Sequence, residues 1–291
     1  MEKPPESEIA GQHEKISYTA IGVAYARTFS DIPYSAEISK ICDASNLTPE
    51  NAEIHERMSP YFEGRFKALS NLIKKSGIKN ILELASGVSP RDLLLTQDSL
   101  VNYIETDLPD MLRQKKAVLA ELVKGKGIKI PPNLHFAELN VLDKNSFKKV
   151  IEQFPSGPIV IGHEGLVAYF NREEKEKMAT IIREVLIDRG GIWITPDIFT
   201  LSDMEKLNTG GKRKEALEEI KKRTGRDYAS NAFIDLDDAK KFFTDLGFEF
   251  NIQTLKETAG DIQSAKIGLN EESVQKQLSW NIWELKTNVP K

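Results

Sequence analysis

Apolar positions along the chain follow two alternating periods. Short apolar runs predict seven strands, at residues 80–84, 101–106, 134–139, 158–162, 192–195, 248–253 and 280–286. Between the first five runs, apolar residues recur every three or four positions, which predicts amphipathic helices. One of these helices begins after Asn171, with Glu174 placed to complete a capping box. Strands that alternate with helices predict an α/β fold with a doubly wound, mostly parallel seven-stranded sheet.

The last two strands have different patterns. Phe248, Phe250 and Ile252 alternate with polar residues, which predicts a strand buried on one face. The run at 280–286 is apolar on both faces, so we expect it inside the sheet.

Two regions interrupt the alternation. Residues 1–77 predict an N-terminal helical lid segment, whose clearest helix runs from Ser59-Pro60 to Gly77. The core then covers residues 78–291, with an insertion at about 199–233 before the sixth strand. That insertion is rich in charge and poor in apolar anchors. It predicts either a solvated helix with loops or a mobile cover over the sheet edge.

Composition narrows the function classes. The net charge of −4 argues against a nucleic-acid-binding surface, and no apolar run is long enough to span a membrane. The single cysteine, Cys42, excludes an intramolecular disulfide, and the four histidines show no metal-ligand spacing. The N-terminus lacks the apolar stretch of a signal peptide. We therefore expect a soluble cytoplasmic protein without a metal site, and leave its oligomeric state open.

Candidate chemistry lies at the strand ends, because open α/β sheets bind ligands at the carboxyl edge. The first strand contains Glu83, ends at residue 84 and leads into Ala85, Ser86 and Gly87, small residues that let a ligand approach the backbone. The glycine pattern of dinucleotide sites is absent, which argues against a pyrophosphate. Asp107, after the second strand, can accept hydrogen bonds from the hydroxyls of a ribose or cap the next helix.

The third and fourth strands also end in polar residues. Asn140 and Val141 stand where an adenine would lie, although Asn is also common in turns. Glu164 lies between two glycines, where its carboxylate can face a cationic group. His163 is either a general base or a hydrogen-bonded structural histidine.

In combination, these motifs resemble a known family. The run ILELASGVSPRDLL resembles the glycine-rich turn of class I S-adenosylmethionine-dependent methyltransferases. More narrowly, it is similar to the turn of leucine carboxyl methyltransferases and tetracenomycin-type polyketide O-methyltransferases, which ends in an arginine, here Arg91. The family's D-[LF]-P element matches Asp107-Leu108-Pro109, and its E-G-[LV]-x-x-Y element matches Glu164 to Tyr169. An N-terminal S-x-T-A…R segment matches Ser17 to Arg27. Departures are Ala85 for glycine, Asn140 for aspartate, and His163 before the glutamate.

The resemblance implies a Rossmann-like methyltransferase fold, S-adenosylmethionine as cofactor and a small-molecule acceptor. It assigns Arg65 to the methionyl carboxylate, Asp107 to the ribose, and Glu164 to the ammonium. The other implied cofactor contacts are Glu83, Ala85, Ser86, Gly87, Arg91, Leu108, Asn140 and Val141. His163 and Tyr169 are the candidate catalytic residues.

The acceptor stays open, with oxygen as the expected methyl-accepting atom. No Asp or second His can be named as a partner for His163, so a carboxylate, which needs no base, is slightly favoured over a hydroxyl or phenol. Tyr18, Tyr25, Phe29, Tyr34, Phe199, Tyr228 and Phe233 form an aromatic set that either lines a substrate pocket or belongs to the core of the lid. The alternatives are an NAD(P)-dependent oxidoreductase and a cofactor-binding protein without turnover.

Overall fold

The computed structural model describes residues 19–44, 47–206, 218, 221–222 and 225–288. Its centre is a seven-stranded sheet in the order β3-β2-β1-β4-β5-β7-β6. The strands are β1 (Asn80–Leu84), β2 (Asn102–Asp107), β3 (Leu134–Glu138), β4 (Ile159–His163), β5 (Gly191–Thr195), β6 (Phe248–Thr254) and β7 (Asn281–Thr287). Strands β1 to β5 pair in parallel, and β7 runs antiparallel to β5 and β6. The predicted doubly wound, mostly parallel sheet is confirmed.

Helices cover both faces of this sheet. They are α1 (residues 19–26), α2 (Ser35–Ile41), α3 (Pro49–Arg57), α4 (Ser59–Ser76), α5 (Arg91–Leu95), α6 (Pro109–Lys126), α7 (Lys144–Ile151), α8 (Arg172–Arg189), α9 (Leu201–Lys206), α10 (Tyr228–Asn231), α11 (Leu236–Asp245), α12 (Leu255–Thr258) and α13 (Glu271–Leu278). The capping box of Asn171 and Glu174 is present at the start of α8. Gly77 ends α4 in the left-handed region, with a φ of 69°.

The final strand lies inside the sheet, as its pattern predicts. Ile282, Trp283 and Leu285 of β7 are fully buried between β5 and β6. On the edge strand β6, Phe248 is buried whereas Glu249 and Asn251 are exposed. The alternating pattern of β6 therefore corresponds to a strand with one covered face.

Helix α4 packs on the sheet, although the sequence places it within the N-terminal lid segment. A Cβ atom added at Gly162 of β4 would lie 3.4 Å from side-chain atoms of both Leu69 and Ile73. Glycine at this position therefore lets α4 approach the strand closely. The segment before residue 78 contributes to the core as well as to the cover of the carboxyl edge.

Much of the insertion falls on residues 207–217, 219–220 and 223–224, which lie outside the described residues. The expectation of a solvated helix or a mobile cover stays a prediction there. On either side, Thr200 and Phe233 form an isolated bridge that brings the two ends of the insertion together. Among the described residues, no helix is long and apolar enough to cross a membrane.

Candidate functional site

The turn after β1 is held in a conformation that favours glycine. Ala85 and Gly87 both have positive φ angles, of 48° and 57°. For Ala85 this backbone is strained by about 1–2 kcal/mol, because its Cβ crowds the following carbonyl. The backbone N–H of Ser86 donates to the Thr106 carbonyl at 3.1 Å, and Ser86 Oγ is buried without a hydrogen-bond partner among the described residues. The turn thus leaves a buried hydroxyl available beside the strand end.

Asp107 is the last residue of β2 and is tied to this turn. Its Oδ2 accepts the backbone N–H of Gly87 at 2.9 Å, and its Oδ1 accepts that of Leu108 at 2.8 Å. Burial raises the pKa of the Asp107 carboxyl to about 6, although both backbone hydrogen bonds act in the opposite direction. Each oxygen retains a free lone pair, so the carboxylate can still accept hydrogen bonds from a ligand.

Three arginines converge on Glu164, after the end of β4. Arg27 forms a buried ion pair with Glu164 Oε1, Arg91 Nη2 lies 3.2 Å from the same oxygen, and Arg65 Nε lies 3.2 Å from Oε2. The ring of Phe66 supports the guanidinium groups of Arg27 and Arg91, whose Cζ atoms lie 5.0 and 4.6 Å from its centroid. We call these three side chains the arginine cluster.

The three positive charges of the arginine cluster form ion pairs with two carboxylates, Glu164 and, at Arg91, Glu83. Burial would raise the pKa of the Glu164 carboxyl, but the charges of the three arginines lower that pKa to about 2. The pKa of Arg27 falls to about 10, because burial and the charges of the other two arginines outweigh the attraction of Glu164. One further anion at this position would relieve the repulsion. The sequence placed Glu164 beside an ammonium, whereas its neighbours here are guanidinium groups.

Glu83 holds Arg91 from the other side. The Arg91 guanidinium forms an ion pair with Glu83 Oε1, and its Nε donates to Ser70 Oγ at 3.0 Å. The hydroxyl of Tyr103 donates to Glu83 Oε2. Glu83 and Arg91 are both fully buried, so this ion pair links the β1 end to the arginine cluster within the protein interior.

A second group of buried charged side chains lies next to the turn after β1. Lys115 of α6 donates to the Ser89 carbonyl and lies 2.7 Å from Glu105 and 3.4 Å from Asp92. Burial, reinforced by the Asp92 carboxylate, holds the pKa of Glu105 well above its ordinary value. Lys115 therefore fixes the carbonyl of a turn residue through a charge-assisted hydrogen bond.

Asn140 and Val141 follow β3 at the same edge. Asn140 is exposed, and its Oδ1 accepts the backbone N–H of Leu142 at 3.0 Å. Val141 is buried. The pair therefore provides a turn-forming amide and a buried apolar side chain. It lies near the end of β2, because the backbone N–H of Leu139 donates to the Asp107 carbonyl at 3.0 Å.

His163 is fully buried at the end of β4, with both ring nitrogens engaged. Nε2 accepts the indole N–H of Trp193 at 2.9 Å, so Nδ1 carries the proton and lies 3.1 Å from Asp197 Oδ2. Neither nitrogen is free for a substrate. This arrangement corresponds to the structural histidine that the sequence left open, and it supplies the carboxylate partner, Asp197, that the sequence did not reveal.

The hydroxyl of Tyr169 meets the N-terminal helix. It lies 2.8 Å from Thr19 Oγ1 of α1, and the Tyr169 ring packs edge-on against Tyr228 of α10, with centroids 4.9 Å apart. Burial raises the pKa of Tyr169. Helix α1 also crosses the turn after β1, since a Cβ added at Gly87 would lie 3.7 Å from the Ala20 Cβ.

A narrow crevice lies between the ends of β4 and β5 and the insertion. Its lining includes Ala168, Lys175, Asp197, Phe199, Tyr228 and Asn231. Two residues of the predicted aromatic set, Phe199 and Tyr228, thus line the crevice, whereas Phe233 packs against Phe242 and Phe243 in the core. Tyr25 and Phe29 pack edge-on against each other, and Tyr18 lies outside the described residues.

The structure thus gathers the predicted residues at one edge and adds three residues that the strand-end motifs do not include, Arg27, Lys115 and Asp197. In the sequence, Arg27 belongs only to the N-terminal segment that resembles the family. Lys115 falls on the apolar stripe of its helix, between Leu112 and Leu119, a signal that could have revealed its burial. Asp197 follows β5, whose end obeys the same carboxyl-edge rule as the other four.

The strand order, with an antiparallel β7 between β5 and β6, defines the class I S-adenosylmethionine-dependent methyltransferase fold. No protein-family model and no curated protein matches the chain. Among solved structures, a DUF574 family protein from Streptomyces avermitilis MA-4680 is similar at 15% identity, with a TM-score of 0.55, over 87% of this chain and 95% of its own. A proposed methyltransferase from Thermobifida fusca YX is similar at 13% identity, with a TM-score of 0.54, over 91% and 93%. At these identities the likeness establishes the fold.

Proposed function

We propose that the protein is an S-adenosylmethionine-dependent methyltransferase that transfers a methyl group to an oxygen atom of a small-molecule acceptor. The observation that carries the proposal is the excess of one positive charge in the arginine cluster beside the turn after β1, whose three guanidinium groups form ion pairs with two carboxylates, Glu164 and Glu83. A methionyl carboxylate is an anion that would compensate it. The likeness to the Thermobifida fusca structure supports the reaction class.

The residues present fit the cofactor in chemical type. Arg65 would hold the methionyl carboxylate through a charge-assisted hydrogen bond, and Ser86 Oγ offers a buried hydroxyl that lacks a partner among the described residues. Asp107 and Leu108 would hold the ribose, and Asn140 with Val141 the adenine. The backbone of Ala85 and Gly87 would contact the methionyl arm, while Glu83 and Glu164 keep the arginine cluster, with Arg91 as their shared partner, in place.

When bound, the cofactor supplies an electrophilic methyl group on a sulfonium. The protein's own task is to hold the acceptor oxygen in line with that methyl group and to exclude water. Helix α1 crosses the turn and Tyr169 joins α1 to the segment after β4, so these residues close the edge. In this proposal Tyr169 positions the cover, and its hydroxyl takes no part in proton transfer.

Titration calorimetry with S-adenosylmethionine, S-adenosylhomocysteine and NADPH tests the proposal. We expect the first two to bind and NADPH not to bind. Arg65→Met should weaken S-adenosylhomocysteine binding about tenfold or more, since it removes a hydrogen bond to a charged group. Arg57→Met is the control, because Arg57 is a half-exposed arginine that pairs with Glu53 on α3. Binding of NADPH in place of S-adenosylhomocysteine would overturn the proposal.

Binding alone does not separate an enzyme from a protein that only holds the cofactor. A screen of small phenols, alcohols and carboxylates with radiolabelled methyl donor makes that distinction. We expect label in at least one methylated product.

A further inference from the structure

Asp197 has a buried carboxylate oxygen that the fold leaves unused. Its Oδ2 accepts the backbone N–H of Leu166 at 2.7 Å and lies 3.1 Å from His163 Nδ1. The other oxygen, Oδ1, is buried and has no hydrogen bond of ordinary geometry from any residue that the structure describes, although the backbone N–H of Gly165 also acts on the Asp197 carboxylate. Leaving a buried polar atom unsatisfied costs about 1–3 kcal/mol, so such an atom calls for an explanation.

The orientation of this carboxylate is fixed. Trp193 donates to His163 Nε2, which places the ring proton on Nδ1, towards Asp197 Oδ2. The backbone N–H of Asp197 donates to Thr195 Oγ1 at 3.0 Å. Because two donors hold Oδ2, Oδ1 is the oxygen that remains for a ligand.

Asp197 also lines the crevice beside the carboxyl ends of β4 and β5, which in this structure is too tight for a water molecule, so an acceptor reaches Oδ1 only when the residues that cover the crevice move apart. Although burial raises the pKa of Asp197, the hydrogen bond from His163 and the charge of Arg65 hold that pKa below its ordinary value. The group is therefore ionised at neutral pH. An ionised carboxylate accepts hydrogen bonds and cannot donate one, so its partner is an O–H or N–H group, and the oxygen acceptor of the proposed function supplies an O–H group.

Building on the proposed function, we propose that Asp197 Oδ1 binds the hydroxyl group of the methyl acceptor and receives its proton, so that the acceptor is a phenol or alcohol. The hydroxyl oxygen forms a bond to the methyl carbon while the carbon–sulfur bond breaks and its electron pair stays on sulfur. The hydroxyl proton moves to Asp197 Oδ1. The products are a methyl ether, a thioether and a neutral carboxylic acid, so charge and atoms balance.

A carboxylate acceptor fits this position poorly. It would bring a second negative charge against the unpaired oxygen of Asp197. Lys175 lines the crevice as well, but its ammonium already donates to the carbonyls of Phe170 and Asn231. The sequence favours a carboxylate acceptor only because it reveals no carboxylate partner for His163. Asp197 is such a partner, so this reason no longer applies.

The oxygen proton becomes far more acidic as the carbon–oxygen bond forms, so even a weakly basic carboxylate can receive it. Such assistance contributes typically 10²–10⁴-fold to the rate. The groups that face Asp197 and can influence its titration are His163, Arg65, Tyr61, Tyr169 and Tyr228, with Lys175 in the same crevice.

The test uses the protein bound to S-adenosylhomocysteine, with phenol, anisole and benzoate as probes. The carboxyl carbon resonance of Asp197, assigned by its loss in Asp197→Asn, is followed by NMR from pH 3 to 8. We expect phenol to lower the pKa of Asp197 and anisole to leave it unchanged, since only phenol donates a hydrogen bond. Equal shifts with phenol and anisole, or no shift with phenol, would overturn the proposal.

Turnover provides a second measurement. Asp197→Asn should fold, because its amide oxygen can take the two donors of Oδ2, which places an NH₂ group where Oδ1 was. We expect phenol methylation to fall 100-fold or more, with the loss shrinking as pH rises towards the pKa of phenol, near 10. Asp261→Asn, on an exposed aspartate, is the control. Methylation of benzoate by the wild type, unchanged or faster in Asp197→Asn, would overturn the proposal.

Binding of S-adenosylhomocysteine distinguishes a failure of the proposed function from a failure of the proposed role of Asp197. If the wild type does not bind it, the proposed function fails. If it binds and phenol leaves Asp197 unaffected, only the role of Asp197 fails.

Discussion

Arg27 and Glu164 form a buried ion pair that ties the N-terminal segment to the end of β4. Each side chain is only 5–6% exposed. The same carboxylate faces Arg65 and Arg91, so one negative charge holds three elements together. The pair therefore connects the N-terminal segment, which covers the carboxyl edge of the sheet, to the charged side chains at that edge.

Stability should depend on Glu164 more than on any exposed glutamate. Removing one partner of a buried pair leaves the other charges uncompensated, which typically costs about 3–5 kcal/mol. We expect Glu164→Gln to lower the free energy of unfolding by that amount in urea titrations. Glu152→Gln, whose exposed carboxylate lies 3.9 Å from Lys148, should cost less than about 1 kcal/mol. Similar losses in the two variants would contradict the role of Glu164.

This stabilisation should vanish in acid. The pKa of Glu164 is about 2 in the folded protein against an ordinary 4.5, so its contribution is complete above pH 4.5 and is lost as pH falls towards 2. The shift corresponds to about 3 kcal/mol. The difference in free energy of unfolding between wild type and Glu164→Gln should therefore narrow over this interval. A constant difference would argue against an ionised Glu164.

Asp107 should determine cofactor affinity. Asp107→Ala removes hydrogen bonds to the ribose hydroxyls, each worth about 1.5–3 kcal/mol for a charged acceptor, and binding should weaken about tenfold or more. Calorimetry with S-adenosylhomocysteine measures the effect. Asp98→Ala, at the opposite edge of the sheet, removes an equal charge and should leave binding unchanged. A folded Asp107→Ala protein with wild-type affinity would refute the ribose assignment.

Lys115 should stabilise the turn after β1. In Lys115→Met, Asp92 and Glu105 lose their buried cation, and we expect the free energy of unfolding to fall by about 3–5 kcal/mol. Lys116→Met, one residue further on and exposed, should have little effect. Hydrogen exchange at residues 86–89 should accelerate only in the first variant, because the Ser89 carbonyl loses its donor.

Tyr169→Phe should loosen two segments together. The Tyr169 hydroxyl lies 2.8 Å from Thr19 Oγ1 of α1 and also forms a side-chain hydrogen bond with Tyr228 of α10, so the substitution removes both contacts. We expect a loss of about 1 kcal/mol and faster hydrogen exchange in residues 19–26 and 228–231. Tyr25→Phe removes a hydroxyl elsewhere on α1 and serves as the control. Faster exchange in one segment alone would mean that Tyr169 does not couple them.

Much of the fold follows from local pattern. Three of the seven strands begin at the predicted residue and the other four begin one residue away, because the strands are distinct apolar or alternating runs. The capping box of Asn171 is equally local.

The site is less predictable because its charged residues are buried by tertiary contacts. Charge in a sequence suggests solvent, yet Arg27, Lys115 and Asp197 are buried. Their partners lie far along the chain, as with Arg27 and Glu164, and no local period reveals such pairs. Motifs located Asp107 and Glu164 at strand ends but did not show what surrounds each carboxylate.

The interior position of β7 has a consequence for the order in which the chain can fold. Residues 281–287 follow all the other strands along the chain, yet they separate β5 from β6 in the finished sheet. During synthesis β6 emerges first and has no partner until β7 has left the ribosome. Phe248 and Phe250 thus stay without their strand neighbour until residues 281–287 have been synthesised. A chaperone or protease acting on the growing chain would meet this unpaired strand.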